Sequence, residues 1–137
     1  MSIPTRYRAK LQGICDGQMV VTVDRDHCLL LYPLHVWEEI ERKLMKLPTL
    51  NKQARRLQRL LVGHASECEL DSQGRVLLPS PLREFADLER RVVMIGQGNK
   101  FEIWNEETWG ANRELWFEEE SQEDLGDLSP ELGSLSL

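Results

Sequence analysis

Glu67-Cys68-Glu69-Leu70-Asp71-Ser72-Gln73-Gly74-Arg75-Val76-Leu77-Leu78 is the stretch on which the fold turns. Glu67 to Leu70 alternates polar and apolar residues, the period of a half-covered strand. Arg75 to Leu78 is apolar and β-branched after its first residue, and reads as a second strand. Asp71-Ser72-Gln73-Gly74 lies between them. An Asp side chain accepts from backbone N–H groups two residues on, and Gly takes positive φ without strain, so these four residues form a tight turn.

Working outward, Ser80-Pro81 reads as an N-cap followed by proline at the first helical position, opening a short helix to about Ala86. A hairpin follows: Val92 to Gly96, a turn at Gln97-Gly98-Asn99, then Lys100 to Trp104. One module is therefore strand, turn, strand, short helix, strand, turn, strand.

The module has a counterpart upstream. Pro4 and Arg8 match Pro79 and Arg83 at an offset of 75 residues, whereas Val20, Val21 and Trp37 match Val92, Val93 and Trp109 at an offset of 72. A three-residue length change between the blocks accounts for the shift, and repetition of this kind outranks any single motif as a guide to architecture. At offset 75, Met1 stands opposite Val76. The first copy is thus expected to lack its opening strand and its Asp-x-x-Gly-Arg turn. The DNA just upstream of the Met1 codon, read in frame, is expected to encode them.

Two helical patterns join the copies. Trp37, Ile40, Leu44 and Leu47 form one apolar stripe, with Glu38–Arg42 and Glu39–Lys43 as i,i+4 pairs on the wet face and Pro48 as the stop. From about Lys52 to Gly63, Ala54, Leu57, Leu60, Leu61 and His64 form the next, with Arg55, Arg56 and Arg59 off it. The expected organisation is a first module over residues 1–38, a helical linker over 39–65, a second module over 66–110, and a helical end with an acidic tail over 111–137.

The net charge of −6 is unevenly placed. Residues 118–137 hold seven acids (Glu118, Glu119, Glu120, Glu123, Asp124, Asp127, Glu131) and no base; setting those seven aside leaves +1 on residues 1–117. Residues 40–62 hold seven bases against Glu41 alone. Binding responds to the local field, so the acidic total does not exclude a nucleic-acid partner. After Phe117 the chain turns acidic and rich in Ser, Gly and Pro, and a mobile tail is expected.

Several function classes find no support. No apolar run approaches the ~20 residues of a membrane span, and the N-terminus has no apolar stretch of signal-peptide length, which places the expected location in the cytoplasm. Cys15, Cys28 and Cys68 are odd in number and widely spaced, as buried free thiols in a reducing compartment would be. His27 beside Cys28 is the nearest approach to metal-ligand spacing, and no metal site or cofactor is read from it. No nucleophile–base pairing, Gly-rich phosphate loop or paired carboxylates in a cleft segment indicate an enzyme or a small-molecule substrate.

The chemistry that remains lies in the turn. An Arg leaving a tight turn presents a planar five-donor fork that grips a guanine edge or a phosphate bidentately. Arg75 is the candidate, with Asp71 and Gly74 holding the turn; a solvated Arg on an ordinary hairpin is the alternative. Arg6, Arg8 and Arg83 flank the turn-side helix of each copy and fit either phosphate contacts or solvated and salt-bridged roles. The Arg55, Arg56, Arg59 face fits a solvated linker helix or a subunit contact. Trp37, Trp104, Trp109 and Trp116 fit core or interface better than base stacking.

The order Asp71-x-x-Gly74-Arg75, Leu78-Pro79, Arg83, its later part repeated at Pro4 and Arg8, resembles the MraZ family of bacterial transcriptional regulators. Pro4-Thr5-Arg6-Tyr7-Arg8, Leu29-Leu30-Leu31-Tyr32-Pro33 and Arg59-Leu60-Leu61-Val62-Gly63-His64-Ala65 are similar to that family's segments, and the likeness covers nearly all of residues 1–117. It implies an α+β fold of tandem swapped-hairpin, β-barrel-like modules of SpoVT-AbrB type with short helices. It implies a ring-like homo-oligomer that binds double-stranded promoter DNA at direct repeats, regulating the cell-division and cell-wall gene cluster, with repression the expected sense and a nucleoid association. Arg75 becomes the leading DNA contact, with Arg83, Arg6 and Arg8 behind it. The alternative is an interaction-only subunit that joins and weakens rings of full-length regulators.

Overall fold

The computed structural model describes residues 1–122. Ten elements run in the order α1 (Thr5–Cys15), β1 (Gln18–Val23), β2 (Leu29–Pro33), α2 (Leu34–Met45), α3 (Lys52–Leu61), β3 (Ser66–Glu69), α4 (Ser80–Phe85), β4 (Val92–Gly96), β5 (Phe101–Asn105) and α5 (Glu106–Gln122). The strands make one antiparallel sheet in the order β3-β1-β2-β5-β4. The fold is α+β, with short helices around five strands. Met1–Glu106 forms one compact unit, and the chain from Glu107 belongs to another.

The two repeated hairpins, β1–β2 and β4–β5, meet edge to edge where Leu30 faces Glu102. β1 and β2 are buried along nearly their whole length, because both faces of the sheet are covered there. Met19, Val21, Val23, Leu29 and Leu31 point into a core completed by Ile3, Leu11, Leu78, Leu82 and Ile103. Each such side chain stabilises the fold by about 1.5–3 kcal/mol relative to exposure. The alternate residues Val20, Thr22 and Leu30 are buried outside that cluster. Thr22, the one buried polar residue among the described residues, donates its hydroxyl proton to the Leu61 carbonyl at 2.6 Å. That bond satisfies a helix-end carbonyl and docks α3 on β1. Gln58 Nε2 donates to the Leu44 carbonyl at 2.7 Å and ties α3 to the end of α2. Asn51 caps α3, its side chain accepting from the amides of Gln53 and Ala54.

Three sequence expectations change. Arg75–Leu78 is not a regular strand: Arg75 bridges Ser2, Val76 bridges Leu70, and Leu77 is 85% exposed. Its β-branched pattern was legible, but it pairs through isolated bridges, one to Ser2 and one to Leu70, instead of a ladder. Ser80 does not cap α4. The amides of Leu82 and Arg83 both donate to the Pro79 carbonyl, so Pro79 is the cap residue and Ser80 already lies inside the helix. Proline suits that place because it has no N–H to leave unpaired. The helical end does not stop at Phe117: α5 runs on through Glu118, Glu119 and Glu120 to Gln122. The remaining tail acids, Glu123, Asp124, Asp127 and Glu131, lie outside the described residues, as does the expected mobility of that segment. No helix of the described residues is long and apolar enough to cross a membrane.

Candidate nucleic-acid interface

The Asp71–Arg75 turn is fixed by four hydrogen bonds. Asp71 Oδ1 accepts from the amides of Gln73 and Arg75, both at 2.8 Å. The Gly74 amide donates to the Asp71 carbonyl at 3.1 Å, and the Asp71 amide to the Arg75 carbonyl at 2.8 Å. Gly74 takes φ +74°, which only Gly adopts without cost. The Asp71 carboxyl is held below the usual carboxylate range, first by the Arg75 amide, which outweighs an opposing desolvation, and further by the Gln73 amide and the Arg75 charge.

Behind the turn stands Arg8 from α1. Its Nε donates to the Ile3 carbonyl at 2.6 Å and its Nη2 to Ser2 Oγ at 3.1 Å. A side chain on Gly74 would overlap the Arg8 Nε, Cδ and Cζ atoms, so the bare α-carbon is what lets the guanidinium lie against the turn. The Ile3 amide donates to the Gly74 carbonyl at 2.8 Å and closes the unit. Arg8 is thereby half-buried in the support of the turn.

Arg75 itself is exposed, and among the described residues its guanidinium makes no hydrogen bond or ion pair. A rigid turn thus presents a fork with its donors available. Arg83 is also exposed, with Nη2 donating to Ser80 Oγ at 3.0 Å. Arg6 is exposed and stacks over the Tyr7 ring at 4.8 Å. A concavity of about 520 Å³ gathers Arg83, Arg90 and Arg91 beside Ser2, the residue paired with Arg75. The Arg91 guanidinium makes an exposed 3.7 Å ion pair with Glu106. Arg90 and Arg91 went unnoticed in the sequence because two bases between Glu89 and an apolar strand carry no turn signal. The structure thus joins Arg75 to Arg8 through the turn and the Ile3–Ser2 segment, and sets Arg83 with Arg90 and Arg91 beside Ser2.

Two equivalent hairpins in one sheet, with a rigid Arg-bearing turn braced from the other repeat, define a duplicated-module protein. The chain belongs to the MraZ family. The sequence profile of the family described as "MraZ protein, putative antitoxin-like" matches residues 1–60 and again residues 61–125. A "Transcriptional regulator MraZ" of Methylococcus capsulatus is 63% identical over 136 residues, covering 99% of this chain and 90% of that protein. Proteins of the same name from Thioalkalivibrio sulfidiphilus and Legionella pneumophila (strain Corby) are 58% and 52% identical, each match covering 100% of this chain and 90% of the relative.

Proposed function

We propose that this chain is a sequence-specific DNA-binding transcriptional regulator, as its relatives' names suggest, reading promoter direct repeats through Arg75. The observation that carries the reading is the exposed Arg75 guanidinium on a turn fixed by Asp71 and braced by Arg8. A preset fork matches the paired acceptors O6 and N7 of guanine in the major groove. Arg83 and Arg6 supply sequence-independent phosphate contacts that set the register. Arg90 and Arg91 add to the local positive field. Arg8 contributes through the turn, with its remaining donors available to a nearby phosphate.

The resemblance extends the proposal to modules of SpoVT-AbrB type, a ring-like homo-oligomer in the cytoplasm and nucleoid, and repression of the division and cell-wall gene cluster. The test is fluorescence anisotropy with a promoter fragment carrying the direct repeats and with the same fragment scrambled. Specific binding by the parent that is lost in Arg75→Ala supports the reading. Equal affinity of the parent for both fragments overturns it.

A further inference from the structure

Asp24, Cys28 and Glu102 come together from opposite ends of the chain. Asp24 follows β1, Cys28 precedes β2, and Glu102 lies on β5 opposite Leu30. One donor atom from each lies within 4.8 Å of the others. Cys28 is wholly buried, whereas the two carboxylates are partly exposed.

The arrangement has the marks of a built site. The Trp104 indole N–H donates to Glu102 Oε1 at 3.1 Å, which orients that carboxylate. The Asp26 amide does the same for Asp24 Oδ2 at 3.2 Å. Outer partners that orient ligands in this way are a recurring feature of metal centres. Among the described residues the buried thiol has one long polar contact, 3.8 Å, to Asp24 Oδ2. Its sulfur is aimed at two carboxylates that offer it acceptors and no donor. The internal repeat sharpens the point: Glu102 stands where the first copy has Leu30, an apolar position given over to a charge. His27, the neighbour suggested by sequence, is turned away at φ +62° and stacks on Phe85 at 4.9 Å.

We propose that Asp24, Cys28 and Glu102 bind one divalent, thiophilic cation of the Zn²⁺ class. Three protein ligands leave a fourth tetrahedral position for water. Metal–ligand bonds of about 2.0–2.3 Å set tetrahedral donors roughly 3.5 Å apart, so the three side chains close by about an ångström, which the part-exposed carboxylates permit. Binding forms the metal–sulfur bond and releases the thiol proton to solvent. The thiolate selects against Mg²⁺ and Ca²⁺, which prefer oxygen ligands alone. Bound, the cation fastens the β1–β2 turn to β5, and so one repeat to the other.

The test is titration of the full chain with Co²⁺ under a non-chelating reductant, followed by Zn²⁺ competition. A thiolate-to-Co²⁺ charge-transfer band that Zn²⁺ displaces is expected, together with a Zn²⁺-dependent rise in Tm. Cys28→Ser should abolish the band. Glu102→Gln, which leaves the buried sulfur in place, should weaken Co²⁺ binding by about tenfold or more. The Cys15→Ser/Cys68→Ser double variant should keep the band. No band in the parent, a band that survives Cys28→Ser, or Glu102→Gln binding as tightly as the parent would each overturn the assignment.

Discussion

Met1 and Val76 exchange both backbone hydrogen bonds, the Met1 amino group donating to the Val76 carbonyl at 2.8 Å and the Val76 amide to the Met1 carbonyl at 2.7 Å. These two residues are also equivalents in the internal repeat. The same holds at the centre of the sheet, where the paired Leu30 and Glu102 are equivalents at the second offset. When repeat-mates pair antiparallel with each other, an approximate two-fold axis passes between them. The Arg75 turn sits next to that axis and is braced across it, by Arg8 of the other copy.

Arg75→Ala should cost little stability, within about 0.5 kcal/mol, because the side chain is wet and unpaired. Loss of a bidentate base contact removes ~1–3 kcal/mol of discrimination, roughly 5- to 150-fold in specific affinity. Arg75→Lys should recover only part, since an ammonium keeps the charge without the fork. Anisotropy on true and scrambled sites measures this. Uniform weakening on both would demote Arg75 to a phosphate contact.

Gly74→Ala should destabilise the fold by about 1–3 kcal/mol, from positive φ and from overlap with Arg8. In an Arg8→Ala background the overlap disappears and the φ strain stays, so the double variant should be more stable than the sum of single effects allows. Urea unfolding of the four proteins closes the cycle. Strict additivity would show that Arg8 does not lie against the turn in solution.

The Asp71 carboxyl gives the turn an acid limit. Its ionised form is favoured in the folded chain, so the stabilisation is fully present above the ordinary carboxylate pKa. It is lost as pH falls through the lowered folded value. Asp71→Ala should therefore flatten the acid side of the stability profile, and carboxyl NMR should place the Asp71 midpoint below that of a model Asp. A midpoint at or above the model value would contradict the hydrogen bonding described.

Burial, with a smaller contribution from Cys15, pushes the Cys68 thiol up to about 12. Because the thiolate is the nucleophile, Cys68 should resist alkylation at pH 8 in the native chain and react at an ordinary rate once unfolded. Peptide mapping by mass spectrometry after a timed iodoacetamide pulse reads this directly. Rapid native labelling at Cys68 would show that β3 opens readily at its place on the sheet edge.

Much of the fold was legible because the hairpins announce themselves locally. Val92–Gly96 and Phe101–Asn105 are apolar, β-branched or aromatic runs around a Gly-Asn turn, and α2 and α3 follow clean apolar stripes. Errors arose where partners are remote or ambiguous. Ser80 and Pro79 both suit a helix start, and only the tertiary hydrogen bonds separate them. Arg75–Leu78 has a strand's composition without a strand's neighbour. In the site, Asp71, Gly74 and Arg75 follow from turn chemistry alone. The placement of Arg8 against Gly74, 66 residues away, has no signature in spacing, nor has the meeting of Cys28 with Glu102.

The pairing of repeat-mates across the sheet gives the two halves of this chain the arrangement of a two-fold dimer joined end to end. Severing the connection between α2 and α3 would undo that fusion without removing a strand, since β2–β5, β1–β3 and the Thr22–Leu61 bond all join the resulting fragments to each other. Fragments produced apart are therefore expected to reconstitute on mixing. Each one alone still carries the edge centred on Leu30 or Glu102, where a strand meets its own image.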